Sequence, residues 1–319
     1  MTRRSFEKFD YTLRPAKNIE RKMISEALAR LSGIAPLAEY RYVGFGAVAF
    51  ADFTLIHQRL GISDMISIEK EREAQNRVRF NRPYSCIKIK WGTASKILRT
   101  LSWAKRAIVW LDYDKPLIRS VLANISTVVA SICSGSAIIF TVDVQDRVRR
   151  GPDMAQARMK KIRKRVGEDR IPLGTSGTRL GGWGLARVCR DIIDNQIAEA
   201  LADRNAPLDE DEALKYTQLF NFHYADKARM LTVGGYIINR EDRNQVAPSA
   251  FEDLDFIRFG KDAYLIEVPV LTLREAAYLN QGLPRSAPSV RHPKWLPERD
   301  RKNYGKVYRH YPTYLEAEI

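Results

Sequence analysis

The chain has 319 residues, with 53 Lys and Arg against 38 Asp and Glu, a formal charge of +15 at pH 7 and 45% hydrophobic residues. That balance fits a folded protein with a sizeable core, and it excludes a disordered tail, a collagen-like rod and a disulfide miniprotein. Three scattered cysteines, Cys86, Cys133 and Cys189, make neither a disulfide framework nor a zinc cluster and point to a reducing cytoplasm.

The first residues are charged with no apolar run behind them, so no signal peptide is expected. After Pro15, Ile19, Met23, Ala27 and Leu31 recur every four residues and predict an amphipathic helix over 19–31, inside a basic helical segment spanning 1–38. From residue 39 to about 143, short apolar runs alternate with helical stretches. Strands are expected at 40–45, 65–69, 86–91, 107–112 and 137–143, and helices at 50–60, 94–103 and from Pro116 to about 133. The uncharged stretch 121–142 is long enough to cross a bilayer, yet seven Ser, Thr and Asn interrupt it and Gly135 splits it. A buried helix, a turn and a buried strand are expected there, not a membrane span. Five strands separated by helices call for a parallel sheet covered on both faces, with all carboxyl ends on one edge, where such sheets bind ligands.

The second half differs. Residues 147–170 hold ten Lys and Arg against three acids and predict a helix with the apolar stripe Ala155, Met159, Ile162 and Val166. Arg158, Lys160, Lys161, Arg163, Lys164 and Arg165 cover its other faces. Five glycines fall within 174–184, ahead of an amphipathic helix over 185–202 and an acidic loop at 209–212. Strands at 216–224 and 230–239 flank a polar turn and predict an antiparallel hairpin. Thr272 with Glu275 is a capping-box signature for a short helix ending at 282–284. Residues 285–319 hold four prolines and no periodicity, which predicts an extended tail. The organisation expected is therefore a domain over 39–245, with a basic and glycine-rich insertion at 145–184, followed by a helix and tail over 246–319.

The chemistry is concentrated at the expected strand ends. Tyr42-Val-Gly-Phe-Gly-Ala-Val-Ala-Phe50 follows the first strand and opens a helix, and glycines at such a bend let a ligand approach free N–H groups. The second strand ends in Ser67-Ile-Glu69, 23 residues past Gly46, where a carboxylate can hold the hydroxyls of a ribose. Glu69 also reads as the solvated first residue of a charged helix. The third strand ends in Trp91-Gly92-Thr93, beside which an adenine ring would lie, and the fourth in Leu111-Asp112-Tyr113-Asp114. Asp114-Lys115-Pro116 reads as a helix N-cap followed by proline, which leaves Asp112 as the functional carboxylate. No spacing of His, Cys and carboxylates suggests a metal.

This order resembles the class I S-adenosylmethionine-dependent methyltransferases. The resemblance covers roughly residues 15–240 and implies an α/β, Rossmann-like sheet of seven strands, five parallel and a terminal antiparallel pair. It implies S-adenosylmethionine as cofactor, with Gly44, Phe45 and Gly46 by its methionine part, Glu69 on the ribose, and Gly92 and Thr93 along the adenine. Asp112, with Tyr113 beside it, stands where the family places its catalytic motif. Residues 222–230 and 268–272 are similar to O-methyltransferases and to three-Cys-motif partner proteins. The chain departs from the family pattern at Tyr42, where an acid is usual, and at Val48, where a third glycine often stands. Asp112-Tyr-Asp-Lys-Pro116 replaces the two-proline aromatic motif of amino-methyltransferases, which argues against N6-adenine and N4-cytosine methylation.

The positive charge needs its own account, because a face that serves only solubility mixes signs. One-signed charge over Arg158, Lys160, Lys161, Lys164 and Arg165 suits the phosphates of RNA or DNA. In the tail, Arg301 and Lys302 alternate with Trp295, Tyr304, Tyr308 and Tyr311, a mixture that suits unstacked bases. An acidic protein partner or an anionic surface is the alternative. For 174–184 three readings stay open: a mobile loop over the ligand, a phosphate cradle, or a linker. The function expected is methyl transfer to nucleic acid; the alternative is a catalytically silent subunit of the same fold that binds nucleic acid or a partner.

Overall fold

The computed structural model describes residues 14–149, 151–246, 248–284 and 295–312. Its centre is one eight-stranded sheet in the order β3-β2-β1-β4-β5-β7-β6-β8. The strands are β1 (Arg41–Gly44), β2 (Asp64–Glu69), β3 (Ile87–Trp91), β4 (Ala107–Pro116), β5 (Ser136–Asp143), β6 (Lys215–Ala225), β7 (Arg229–Ile238) and β8 (Tyr264–Ile266). The first five are parallel, and β7 inserts antiparallel between β5 and β6. The chain order reverses between β1 and β4, so a crevice opens outside their carboxyl ends.

Ten helices are described: α1 (Pro15–Ala29), α2 (Ala51–Leu60), α3 (Gln75–Phe80), α4 (Ala94–Leu98), α5 (Arg119–Ser131), α6 (Met154–Val166), α7 (Gly184–Asn205), α8 (Arg240–Arg243), α9 (Leu273–Asn280) and α10 (Glu298–Val307). They bury apolar stripes on both faces of the sheet. On one face Ile19, Met23 and Ala27 of α1 and Phe53 and Ile56 of α2 meet Tyr42, Ile108 and Tyr236. On the other, Val121, Ile125 and Val128 of α5 and Ile192, Ile193 and Ile197 of α7 meet Val109, Ile138 and Phe140. Helix α6 joins that second core through Ile162 and Val166, while Ala155 and Met159 of its stripe stay half-buried. The apolar stretch 121–142 is split as expected, with Gly135 at φ +81° turning α5 into β5. Among the described residues no helix is long and apolar enough to cross a membrane.

Four expectations change. The sheet has eight strands instead of seven, because Tyr264–Ile266 pairs parallel with Phe222–Tyr224 at the edge. The tail is not extended throughout: α10 follows Pro297 and packs Tyr304 against Leu279 and Leu296 in a small satellite core. Residues 285–294 and 313–319 of the expected tail lie outside the described residues. β4 runs on to Pro116 and the N-cap of α5 is Ile118, so Asp114 is a strand residue and not a cap. The glycine-rich segment is no free linker. A Cβ on Gly177 would stand 1.8 Å from the Ala155 carbonyl oxygen, and Leu180 is buried against α6 and α7. Glycine there permits backbone to lie on backbone.

Candidate active site

The bend after β1 is wound tightly enough to force two non-glycine residues, Ala47 (φ 49°) and Phe50 (φ 50°), into the left-handed region. That winding aims backbone N–H groups at the end of β2. Gly46 and Ala47 donate to Glu69 Oε1 at 2.9 and 3.0 Å, and the Ser67 hydroxyl donates to the same oxygen at 2.6 Å. Glu69 is buried and turned into the bend, not solvated. Burial raises its carboxyl above the ordinary value of 4.5, against the pull of Ser67 and the two amides. Among the described residues its Oε2 has no hydrogen-bond partner.

Both glycines of the bend also have an internal reason to be glycine. A Cβ on Gly44 would lie 2.9 Å from the Tyr42 hydroxyl, and one on Gly46 would lie 2.5 Å from the Phe50 ring. Tyr42 thus fills the space beneath the bend, edge-on to Phe53 at 4.8 Å. Beyond β3, the Gly92 amide donates to the Glu69 carbonyl at 2.8 Å, and Thr93 caps α4 by accepting from the Lys96 amide at 3.3 Å. Phe45 meets the Tyr113 ring edge-on at 5.2 Å, joining the bend to β4. The Tyr113 hydroxyl accepts from Asn124 at 2.8 Å, and burial raises it above the usual phenol range.

Asp112 has company that the sequence does not announce. Lys17 of α1, wholly buried, places its ammonium 2.9 Å from Asp112 and 2.7 Å from Glu20. It stands over the rings of Trp110 and Tyr224, 4.8 and 5.6 Å from their centroids. Thr232 donates to Glu20, Thr141 bonds Thr232 at 2.7 Å, and Trp110 donates to Thr141 at 3.2 Å. Next to this chain Arg21 pairs with Asp52 at 2.5 Å. Burial alone would raise the Asp112 carboxyl, but Lys17 first, then Arg21 and Arg14, hold it below the ordinary value. Helix α1 is itself anchored at this edge, where Ala16 and Lys17 donate their amides to the Asp226 carboxylate in the β6–β7 turn.

A cavity of about 650 Å³ opens at the same edge, one strand over. Arg14, Asp114, Asp143, Arg147 and Asp226 give it a charged wall, and Trp183, Met230, Ile266 and Val268 an apolar one. Trp183 is fixed by stacking on His223 at 4.9 Å, and Arg229 lies 5.5 Å from its ring. Burial and the Arg187 charge push His223 down to about 4, so it stays neutral. Arg147 pairs with Asp143 at 2.5 Å, and Arg158 is bound to Asp146 at 2.5 Å and is largely buried. Lys160 and Lys164 are exposed, Lys161 and Arg165 half-exposed. On α10 Lys302 pairs with Glu298 at 2.6 Å, and Arg301 is half-exposed. Among the described residues no group of His, Cys, Asp and Glu is arranged to hold a metal.

A family model described as "Putative O-methyltransferase" matches residues 9–319. The chain belongs to that family. No curated protein matches it in sequence. Among solved structures, it is similar to Trm1 from Pyrococcus horikoshii in complex with S-adenosyl-L-methionine, with a TM-score of 0.44 and 10% identity over 77% of this chain and 61% of that one. The chain thus spans about three fifths of the length of Trm1. It is also similar to spermidine synthase from Thermotoga maritima (TM-score 0.37, 9% identity, 76% and 68% covered). A third likeness is to the N-terminal domain of EvdMO1 with SAH and D-fucose (TM-score 0.40, 13% identity, 72% and 85% covered).

For an O-methyltransferase the implied cofactor is S-adenosylmethionine. The residues are compatible with its nucleoside half: an acidic side chain ends β2, is held against the bend by two amides, and among the described residues has one carboxylate oxygen without a hydrogen-bond partner.

Proposed function

We propose that this O-methyltransferase acts on RNA, with a ribose hydroxyl as acceptor. The observation that carries the reading is that both ends of the basic insertion, Arg147 and Trp183, line the 650 Å³ cavity at the carboxyl edge. A polyanion lying along the exposed Lys160 and Lys164 of α6 would present one nucleoside to that cavity, with Trp183 as a face for its base. The acceptor follows from the chemistry of oxygen. Within a nucleic-acid strand only RNA offers a free sugar hydroxyl, so O-methylation favours RNA over DNA.

S-adenosylmethionine, when bound, supplies a methyl group on a sulfonium sulfur for in-line displacement by an oxygen. The protein's work is alignment. Glu69 holds the ribose through Oε2, while Gly44, Phe45 and Gly46 border the methionine part and Gly92 and Thr93 the adenine. Asp112, kept ionised, accepts a hydrogen bond from the acceptor hydroxyl and orients it, with Tyr113 beside it. The same carboxylate receives the hydroxyl's proton as the methyl group transfers, while Asp114 stands exposed on the cavity wall.

Incubation with tritium-labelled S-adenosylmethionine and total RNA tests this. Since 2′-O-methylation blocks alkaline cleavage, label is expected in alkali-resistant dinucleotides. Label on bases, or equal labelling of DNA, would overturn the acceptor assignment.

A second reading is a catalytically silent binding subunit, favoured by the Tyr42 hydroxyl and Phe50 ring packed against the bend glycines. Thermal-shift titration separates the two. A functional site saturated a hundredfold with S-adenosylhomocysteine gains about 2.7 kcal/mol, a shift of several degrees. No shift selects the binding subunit.

A further inference from the structure

We propose that Lys17 is the positioning residue for Asp112: its ammonium grips one carboxylate oxygen from beneath and leaves the other facing the crevice. The inference rests on the role proposed for Asp112 in methyl transfer. Its geometry is independent of that role. Lys17 and Glu20 side chains are fully buried, whereas the Asp112 side chain is 18% exposed. The ion pair is made at Asp112 Oδ2, and among the described residues Oδ1 has no partner. Burying an ammonium out of water costs heavily unless acceptors surround it. Asp112 and Glu20 oxygens within 3 Å offset that cost, and the Trp110 and Tyr224 rings add cation–π attraction.

The grip is built into the frame of the cavity. Asp226 receives the amides of Ala16 and Lys17, so the turn that carries Lys17 is pinned to the β6–β7 turn. Arg14, Pro15 and Asp226 also line the cavity. The first turn of α1 therefore supports Asp112 from one side and bounds the acceptor space from the other. Among the described residues, the charged and titratable groups around Asp112 are Arg14 at the N-cap of α1, Lys17, Glu20 and Arg21 of α1, Tyr42 of β1 and Tyr224 of β6, with Asp52 of α2 beyond Arg21. Arg21 is committed to Asp52, and Arg14 lies nearer Asp226. Among the described residues, Lys17 is thus the cation in contact with Asp112.

The test compares wild type with Lys17→Met/Glu20→Gln, which removes the ammonium together with the carboxyl group paired to it, so that neither partner is stranded. Lys17→Arg serves as the conservative variant. The ¹³C carboxyl resonance of Asp112, assigned with Asp112→Asn, is expected to stay flat between pH 5 and 8 in wild type and Lys17→Arg. In the double variant it is expected to titrate within that range. A flat resonance in the double variant would overturn the proposal. This readout does not need the methylation reading, so it stands or falls separately from it. Where wild type labels RNA, the double variant is expected to lose at least about tenfold in kcat and to regain rate as pH rises. Its S-adenosylhomocysteine affinity is expected to stay within about twofold of wild type. A parallel loss of that affinity would mean that Lys17 only holds the fold together, and would overturn the positioning role.

Discussion

Glu69→Gln is expected to weaken S-adenosylhomocysteine binding by about tenfold or more, roughly 1.4 kcal/mol, as measured by titration calorimetry. The amide oxygen can still accept from Gly46 and Ala47, so the bend keeps its shape. What the amide cannot supply is a second acceptor oxygen for the ribose, and a hydrogen bond to a carboxylate is stronger than its neutral counterpart. Unchanged affinity would remove Glu69 from the cofactor site and leave it as a brace for the bend. The pH dependence has a definite sign. Because burial raises the Glu69 carboxyl, a proton arrives there at higher pH than on a free glutamate, and affinity falls on acidification before ordinary carboxylates titrate.

Arg21→Met is expected to have the largest effect on stability. Arg21 and Asp52 pair at 2.5 Å with each side chain only 9% exposed, so the variant strands a buried aspartate. Breaking such a pair costs about 3–5 kcal/mol, readable as a lower midpoint in urea unfolding. The double variant Arg21→Met/Asp52→Leu should recover most of it, because replacing both charges by apolar groups leaves nothing unpaired. A loss below about 1 kcal/mol in the single variant would mean the pair behaves like one on the surface.

The parallel half of the sheet was legible because each strand is an apolar run closed by polar residues and separated by a helix, as in Met65–Glu69 and Ala107–Asp112. The bend and Glu69 were legible for a related reason: both occupy strand ends in sequence order. β8 was not, since Tyr264–Ile266 is too short for any period to register. Helix α10 was hidden by its composition. Glu298–Val307 is mostly charged, and its buried apolar residues are only Tyr304 and Val307. Pro116 misled in the other direction, resembling a helix start while ending a strand. Lys17 was the hardest to see, because it stands in a basic segment that reads as surface charge. Its partner Asp112 and the rings around it come from far along the chain, and only the topology gathers them. The same holds for Trp183, whose place in the cavity depends on where the glycine-rich segment docks.

The contact between α1 and residues 309–310 has a bearing on synthesis. Glu26 of α1 is bound by Arg309 at 2.7 Å and His310 at 2.6 Å, and Lys22 donates to the His310 carbonyl at 3.2 Å. Helix α1 is made before any strand of the sheet, yet the residues that satisfy it, Asp226, Thr232 and His310, lie 210, 212 and 284 residues beyond their partners in the chain. Its buried charges must therefore wait, solvated, while the parallel strands assemble, and contacts of such long sequence separation form slowly. A nascent chain stalled before residue 226 would lack the partners that seat α1, and the buried side of Asp112 would be completed only after β6 and β7 had followed.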